Sequence, residues 1–433
     1  MSTKKQGIWI LASSAIAGAV QFSVFAMLAY YTSPEVIGVL AIINVFLAIA
    51  YLVQDMGLSN YFIYKQTLTR SQSSALYYTN LLLGAGAGGL IALIASPVAS
   101  FYESKEIAES LYIMAFNFVL LGLSAQYQAN FIKAEKNVPL AKIDIVTKLC
   151  LLAFTFLFIK AGIESIFPYL YAFLVVNSLR YLLFLIFADK SWHPTYKVDF
   201  AIVKPALAFG GFQMGSQILN QVRAQLDQLI IGKLMGVEVL GLYSFAKELL
   251  MQPIKFIRIL IARLVYPKLA KQQARFQVFY STFNRSLRTL SAMNSAVYLL
   301  FLGGLTVAIQ HYFEQYQQSI PILYALFIIG FLAPFGSLLG IAAQAKGNTK
   351  IEFQWNVLSS SISIFVLLIL TQLQSISLFA YGVASLQIAM TASALFFFGK
   401  NDPDIPKRTY LLMFSTNVFI YLIINLLYQF IPK

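Results

Sequence analysis

The sequence predicts an all-α polytopic membrane protein with two six-helix bundles of the same orientation and one extra C-terminal helix. Three observations support this fold class. The chain is 59% hydrophobic and only 11% charged, with a mean hydropathy of +0.73, which lies outside the range of soluble domains. Several stretches without any charged side chain exceed the roughly 20 residues that a helix needs to cross a bilayer. The second half of the chain also repeats the plan of the first half.

The internal repeat is visible in short matching segments. The segment PEVIGVL at 34–40 returns as VEVLGLY at 237–243, and AEKN at 134–137 returns as AKGN at 345–348. An even number of spans per copy gives both copies the same orientation, so we expect a two-fold axis along the membrane normal and a cavity at the seam. The predicted domains are an N-terminal six-helix bundle at 1–190, a cytoplasmic linker at 191–202, a C-terminal six-helix bundle at 203–400 and an extra transmembrane helix at 401–433.

Thirteen apolar segments are predicted to be transmembrane helices. Their apolar runs are continuous and not alternating, which favours helices over barrel strands. The fifth segment carries Asp144 and Lys148 in its first turns. The predicted spans are 7–31, 36–63, 73–101, 107–132, 142–160, 165–188, 203–232, 238–264, 284–310, 319–344, 351–373, 377–399 and 409–431.

The positions of Lys and Arg predict the orientation. Most of the 31 basic residues lie in the N-terminal segment and in the connectors of one side, including the basic stretch 255–288. The positive-inside rule therefore places the N-terminus in the cytoplasm. The net charge of +14 is explained by this topology, so nucleic acid is not a predicted partner.

Several chemistries are disfavoured by the residues present. The single cysteine, Cys150, excludes an internal disulfide and a Cys-based metal site, while His193 and His311 are expected at opposite membrane faces. The chain has no phosphate-binding loop of the Gly-x-x-x-x-Gly-Lys-Ser/Thr type. No metal or cofactor is therefore predicted. The connectors are too short to form a domain, which disfavours a membrane enzyme such as a glycosyltransferase or a polymerase.

The seventh predicted span has one polar face. At about 100° per residue, its amide side chains and one carboxylate fall on the same side of the helix, with Arg223 at the flank. Lipid cannot satisfy such a stripe, so it must face protein or water. The residues of the stripe are Gln213, Gln217, Asn220, Gln221, Asp227 and Gln228.

Charged side chains also lie deep inside three predicted spans. Arg223 and Lys247 are both about 14 Å from the outer ends of their helices at 1.5 Å per residue. Arg180 lies slightly deeper, and Glu248 follows Lys247. An ionisable side chain at this depth costs several kcal/mol and by default indicates a functional site.

The first copy carries no such charges. The positions equivalent to 223, 227 and 247 are Val20, Val24 and Asn44, so the duplication does not explain the charges. A static network is the alternative, because Arg223 and Asp227 are spaced i, i+4 and can neutralise each other.

Two further features interrupt the apolar pattern. Asp55 lies about 12 Å from the cytoplasmic end of the second span; a carboxylate that snorkels to the surface, a pair with Lys65, and a proton or cation site are all open. The third span contains Gly84, Gly86, Gly88 and Gly89, which predicts close helix contact.

Segments in both copies resemble the polysaccharide exporter family, whose Wzx-type flippases move undecaprenyl-diphosphate-linked sugar repeat units. The segments are LDQLIIGKLMG at 226–236, LGLYS at 240–244, YPKL at 266–269 and DMGL at 55–58. The resemblance covers essentially residues 1–400. It implies the fold of the multidrug and toxin exporters, in which two six-helix bundles form a V around a central cavity.

The resemblance also implies a function. The chain would be a non-enzymatic flippase of the bacterial inner membrane that moves an O-antigen or capsule/exopolysaccharide unit to the outer leaflet by alternating access. The lipid tail would stay in the bilayer, and a polysaccharide polymerase and a chain-length regulator are candidate partners. A drug/cation antiporter of the same superfamily is one alternative, although it would need a predominantly acidic cavity. A lipid II flippase is the other.

Roles for the intramembrane residues follow from this assignment. Cations suit a diphosphate, and amides suit sugar hydroxyls. Only Asp227 carries over from the family by position. The predicted substrate-binding residues are Arg180, Arg223, Lys247, Gln213, Gln217 and Asn220. The predicted ion-coupling or charge-pairing residues are Asp55, Asp227 and Glu248.

Overall fold

The computed structural model describes residues 3–65, 67–188, 193–373, 375–402 and 405–430. These residues form fifteen α-helices, a π-helix and two short 3-10 helices, and they contain no β-strand. The chain divides into two compact units, Met1–Glu238 and Val239–Lys433. The predicted all-helical fold class is confirmed. The six-helix count of each bundle, the domain bounds 1–190, 191–202, 203–400 and 401–433, and the V-shaped central cavity stay predictions.

The first unit is built from eight helices. They are α1 (Thr3–Tyr31), α2 (Pro34–Asp55), α3 (Leu58–Tyr64), α4 (Arg70–Tyr102), α5 (Lys105–Lys133), α6 (Asn137–Lys160), α7 (Phe167–Phe187) and α8 (Val203–Leu234).

The remaining helices begin at the division between the units. They are α9 (Val237–Leu260), α10 (Tyr266–Lys271), α11 (Phe276–Tyr312), α12 (Ile320–Ala345), α13 (Thr349–Leu370), α14 (Ile376–Asn401) and α15 (Lys407–Gln429), with the π-helix Ile261–Val265 joining α9 to α10.

The chain is a multi-span membrane protein. Within the described ranges, nine helical segments are long and apolar enough to cross a membrane. Four predicted spans, at 7–31, 142–160, 203–232 and 238–264, fall on α1, α6, α8 and α9, which are not among these nine. α6 carries Lys142, Asp144, Lys148 and Lys160, which make it too highly charged, and charged and amide side chains lower the hydropathy of α8 and α9. Most side chains in the first half of α1 lie outside the described residues.

The second predicted span is not one continuous helix. Met56 and Gly57 have φ angles of 42° and 74°, in the left-handed region where a right-handed helix cannot continue. α2 therefore ends at Asp55, and α3 begins at Leu58. The break places the carboxylate of Asp55 beside the first turn of α3, where it can accept hydrogen bonds.

Glycines bring α4 and α5 into close contact. A Cβ atom added at Gly84 would lie 2.5 Å from the carbonyl oxygen of Phe118, and one added at Gly88 would meet the carbonyl oxygen of Ala115. Gly84 and Gly88 are one turn apart on α4 and face α5, as predicted. Gly86 and Gly89 have open space around them, so the prediction of close contact is wrong for these two.

In the second unit, buried hydrogen bonds tie the last helix to its neighbours. The hydroxyl of Tyr421 on α15 donates to the carbonyl of Ala325 on α12 at 2.9 Å, and the amide of Asn417 donates to the Ser291 hydroxyl of α11 at 2.9 Å. Buried polar contacts of this kind specify one packing arrangement. The additional C-terminal helix is therefore an integral part of this unit.

Candidate functional site

The predicted site residues lie in different parts of the structure. Asp55, Arg180 and the α8 stripe belong to the first unit, whereas Lys247 and Glu248 belong to the second unit. The side chains of three predicted residues lie outside the described ones, so their roles stay predictions. These three are Gln213, Asn220 and Arg223.

A polar cavity of about 270 Å³ lies inside the first unit, between residues of α2, α3, α5 and α7. It brings Asp55 and Arg180 together, although their sequence positions suggested separate roles. Four amide side chains, Gln54, Asn60, Gln128 and Asn177, also line it. These residues come from four different helices, α2, α3, α5 and α7, so no single helix shows them as a periodic stripe. An amide inside a membrane helix is nevertheless costly, and that signal could have identified them.

Asp55 is anchored by the helix that follows it. Its Oδ1 atom accepts a hydrogen bond from the Ser59 backbone N–H at 3.3 Å and a short one from the Ser59 hydroxyl. Within the described part of the chain it makes no ion pair, so the predicted alternative of a Lys65 partner is wrong. The Lys65 carbonyl instead accepts from Lys133. Asp55 therefore caps α3 with one oxygen and lines the cavity.

Arg180 is held by a partly buried ion pair. Its Nη2 atom lies 2.7 Å from the Oδ1 atom of Asp144 on α6, and the two side chains are 23% and 33% exposed. The same nitrogen lies 3.4 Å from the Gln128 side-chain oxygen, and the guanidinium carbon lies 5.4 Å from the Phe184 ring centroid. These contacts orient the guanidinium at the cavity wall and offset its charge.

The α8 stripe differs in burial along its length. Asp227 is 8% exposed and accepts a hydrogen bond from the Gln228 backbone N–H at 2.9 Å, whereas Gln217 is exposed. The carboxylate of Asp227 is thus enclosed by protein, and the amide at 217 is open to its surroundings.

Glu248 makes its contacts on its own helix. Its Oε1 atom lies 2.8 Å from Lys255 Nζ and accepts from the Gln252 amide at 2.6 Å. The ammonium of Lys247 lies 5.9 Å from the Tyr243 ring centroid. Glu248 is therefore paired with a lysine of its own helix, and its predicted role in ion coupling or in a network between helices stays a prediction.

The described residues include no group of three or more His, Cys, Asp or Glu side chains that could hold a metal ion. Cys150 is a free thiol.

The all-helical fold and the polar residues within its spans define a class, that of multi-span membrane proteins with polar sites inside their helices. A solved structure described as the inward-facing conformation of a multidrug resistance MATE family transporter of the MOP superfamily matches with a TM-score of 0.63 at 13% identity, covering 94% of this chain and 96% of that one. The structure of the MATE multidrug transporter DinF-BH matches with a TM-score of 0.62 at 16% identity, covering 93% and 95%. The chain therefore has the MATE fold.

The chain belongs to the polysaccharide biosynthesis protein family, whose model matches residues 27–321. The amylovoran biosynthesis protein AmsL of Erwinia amylovora is 36% identical over 72% of this chain and 80% of its own length. The teichuronic acid biosynthesis protein TuaB of Bacillus subtilis is 27% identical over 71% and 64%. The lipopolysaccharide biosynthesis protein WzxC of Escherichia coli is 24% identical over 87% and 76%. The resemblance to polysaccharide exporters is confirmed.

Proposed function

We propose that this chain is a flippase that moves an undecaprenyl-diphosphate-linked oligosaccharide from the cytoplasmic to the outer leaflet of a bacterial inner membrane by alternating access. The observation that carries the proposal is the polysaccharide biosynthesis family match in a chain with the MATE transporter fold. Relatives named for amylovoran, teichuronic acid and lipopolysaccharide biosynthesis support a saccharide cargo. The chain itself catalyses no reaction, and its N-terminus lies in the cytoplasm.

A lipid-linked saccharide suits a transporter with polar groups inside its spans. The lipid tail can stay in the bilayer, so only the charged and hydroxylated headgroup needs a polar path. Arg223 and Lys247 are the proposed diphosphate-binding residues, because cations bind phosphate oxygens through charge-assisted hydrogen bonds. The proposed sugar-binding residues are Gln213, Gln217 and Asn220, and the proposed coupling residues are Asp227 and Glu248. Arg180 was predicted to bind the diphosphate, but its charge is offset by Asp144 at 2.7 Å, and together with Asp55 it lines a polar cavity of the first unit. A polymerase and a chain-length regulator would act on the delivered unit.

The proposal is tested in the bacterium that encodes this chain. Inactivating the gene should abolish a surface polysaccharide while undecaprenyl-diphosphate-linked oligosaccharide accumulates, inaccessible to an externally added lectin on spheroplasts. Normal arrival of that oligosaccharide at the outer leaflet would refute the proposal. Ethidium efflux that depends on the gene would favour the drug antiporter instead, and rescue of a lipid II flippase depletion would favour lipid II as the cargo.

The roles of the two proposed diphosphate-binding residues can be tested by neutralisation. We expect Arg223→Gln and Lys247→Gln each to lower export by roughly 10–100-fold, since a hydrogen bond to a charged group contributes about 1.5–3 kcal/mol. Export of the labelled lipid-linked oligosaccharide is measured at matched protein level in the membrane.

The matched control for these variants is Lys233→Gln. Lys233 is a basic residue at the end of α8 that pairs with Glu103 at 3.4 Å and is 36% exposed. Its neutralisation should leave export unchanged. If Arg223→Gln and Lys247→Gln export as well as Lys233→Gln, the two cations belong to a static network.

A further inference from the structure

We infer that the polar cavity of the first unit binds one neutral sugar ring through adjacent hydroxyl groups, with Gln54, Asp55 and Arg180 as the binding residues. The inference rests on the proposed function, because its ligand is the saccharide part of that cargo. It goes further by naming a site within a single unit and the chemistry of its occupant.

The first reason is a pair of buried donors without partners. Gln54 is 6% exposed, and its Nε2 atom has no hydrogen-bond partner; the Nε atom of Arg180 is also buried and unpartnered. Both residues line the same cavity. Buried N–H groups are almost always paired in native proteins. Neither nitrogen atom is accessible in this structure, so a ligand with oxygen acceptors in this cavity would supply partners for both once the two side chains turn their N–H groups towards it.

The second reason is an acceptor that is only half used. The Oδ1 atom of Asp55 receives both hydrogen bonds from Ser59. Its Oδ2 atom has no hydrogen bond among the described residues. A carboxylate oxygen only accepts hydrogen bonds, so an occupant of the cavity that carries a donor would suit it. A hydroxyl group both donates and accepts, and two adjacent hydroxyls can meet the carboxylate and the two free N–H donors together.

The charge of the cavity wall selects a neutral occupant. Arg180 faces the cavity with its charge already offset by Asp144 at 2.7 Å, and Asp55 adds a negative charge. The other groups named in the wall are neutral amides. A diphosphate would find no surplus positive charge here. The cavity is therefore suited to the sugar part of the cargo, and Arg180 is assigned to a sugar and not to the diphosphate.

A bound metal cation fits these residues less well than a sugar. Hard cations such as sodium, calcium and magnesium take oxygen ligands. The unpartnered groups at Gln54 and Arg180 are N–H donors, which cannot ligate a cation. The size of the cavity also limits the occupant: about 270 Å³ is below the roughly 300–1,000 Å³ of pockets for drug-sized ligands. One ring fits, but a whole repeat unit does not.

Three variants each remove one contact and keep the local structure. Gln54→Met keeps the length of the side chain and removes the donor. Asp55→Asn keeps an oxygen for the bonds from Ser59 and replaces the free oxygen by an amide nitrogen. Arg180→Lys keeps the charge opposite Asp144 and removes the Nε donor. Gln387→Met is the matched control, because Gln387 lies on α14 in the second unit and donates to Thr391.

The binding experiment uses the purified full-length chain in detergent micelles. Saturation-transfer difference NMR is recorded with the methyl glycosides of glucose, galactose, mannose and rhamnose. We expect at least one glycoside to bind to the wild type and to Gln387→Met. Its affinity should be roughly fivefold or more weaker for each cavity variant, as expected for the loss of one hydrogen bond. The Tm of every protein is measured to confirm that it is folded.

Two results would overturn the inference. One is the absence of saturation transfer to every glycoside of the panel, which would leave water as the occupant. The other is equal binding by the wild type and by folded cavity variants. A different result would refute the proposed function, namely normal export of the oligosaccharide after the gene is inactivated. If the wild type exports lipid-linked oligosaccharide but binds no glycoside in the cavity, only this inference is refuted and the proposed function stands.

Discussion

Gly84→Leu is expected to prevent most of the chain from reaching its folded state. A Cβ atom at position 84 would lie 2.5 Å from the carbonyl oxygen of Phe118 and 3.1 Å from the Cα atom of Gly122. Both are backbone atoms, so no side-chain rotation relieves the clash, and α4 and α5 must separate. Overpacking a core costs about 1–3 kcal/mol and occasionally more; a clash between two backbones lies at the upper end. The Tm in detergent and the monodisperse fraction in size-exclusion chromatography measure the loss.

The control for this variant lies on the same helix. Gly86 has no atom within 4 Å of an added Cβ, so Gly86→Leu should retain the wild-type Tm or raise it slightly, because leucine has a higher helix propensity than glycine. Equal Tm values for Gly84→Leu and Gly86→Leu would show that α4 and α5 do not pack through Gly84.

Asp144→Ala is expected to be the second strongly destabilising change. It leaves the guanidinium of Arg180, 23% exposed, without its carboxylate and within the helix packing. Breaking a fully buried ion pair costs about 3–5 kcal/mol, and the residual exposure of this pair reduces the expected loss to about half. The thermal unfolding midpoint of the purified chain should fall clearly below that of the wild type.

Two comparisons separate pairing from function. Lys255→Ala removes an ion pair to Glu248 whose side chains are 49% and 35% exposed, and such a pair contributes at most about 1 kcal/mol; its Tm should hardly change. Arg180→Lys keeps the charge opposite Asp144 and should keep the Tm while export falls. An unchanged Tm in Asp144→Ala would mean that the ion pair contributes nothing to stability.

The glycines of the third predicted span show which helix contacts can be predicted from the spacing of residues in the sequence. Four glycines in six positions predicted close helix contact, yet only Gly84 and Gly88 touch α5. These two are four residues apart and therefore share one face of the helix, while Gly86 and Gly89 point elsewhere. The helical period could have shown that Gly84 and Gly88 lie on a different face from Gly86 and Gly89. It could not have shown which helix packs against that face.

The charged residues show a similar limit. Depth counted along each helix singled out Arg180 and Asp55 as unusual, and both line a polar cavity. Their assignment to separate roles depended on treating spans one at a time. The partner of Arg180 is Asp144 on the preceding predicted span, and that contact depends on how α6 and α7 are rotated against each other.

The helical class, most of the apolar spans and the polysaccharide exporter family were determined by the amino-acid sequence alone. The features that identify them are local in the sequence. A run of apolar side chains partitions into the bilayer, and a family motif is a short run of neighbouring residues. Only the tertiary structure decided that α2 breaks at Met56 and Gly57 and that the Asp55 carboxylate and the Arg180 guanidinium line one cavity. The break is a backbone conformation of two residues to which hydropathy is blind, and the shared cavity depends on contacts between residues far apart in the chain, whose energies are set by helix packing.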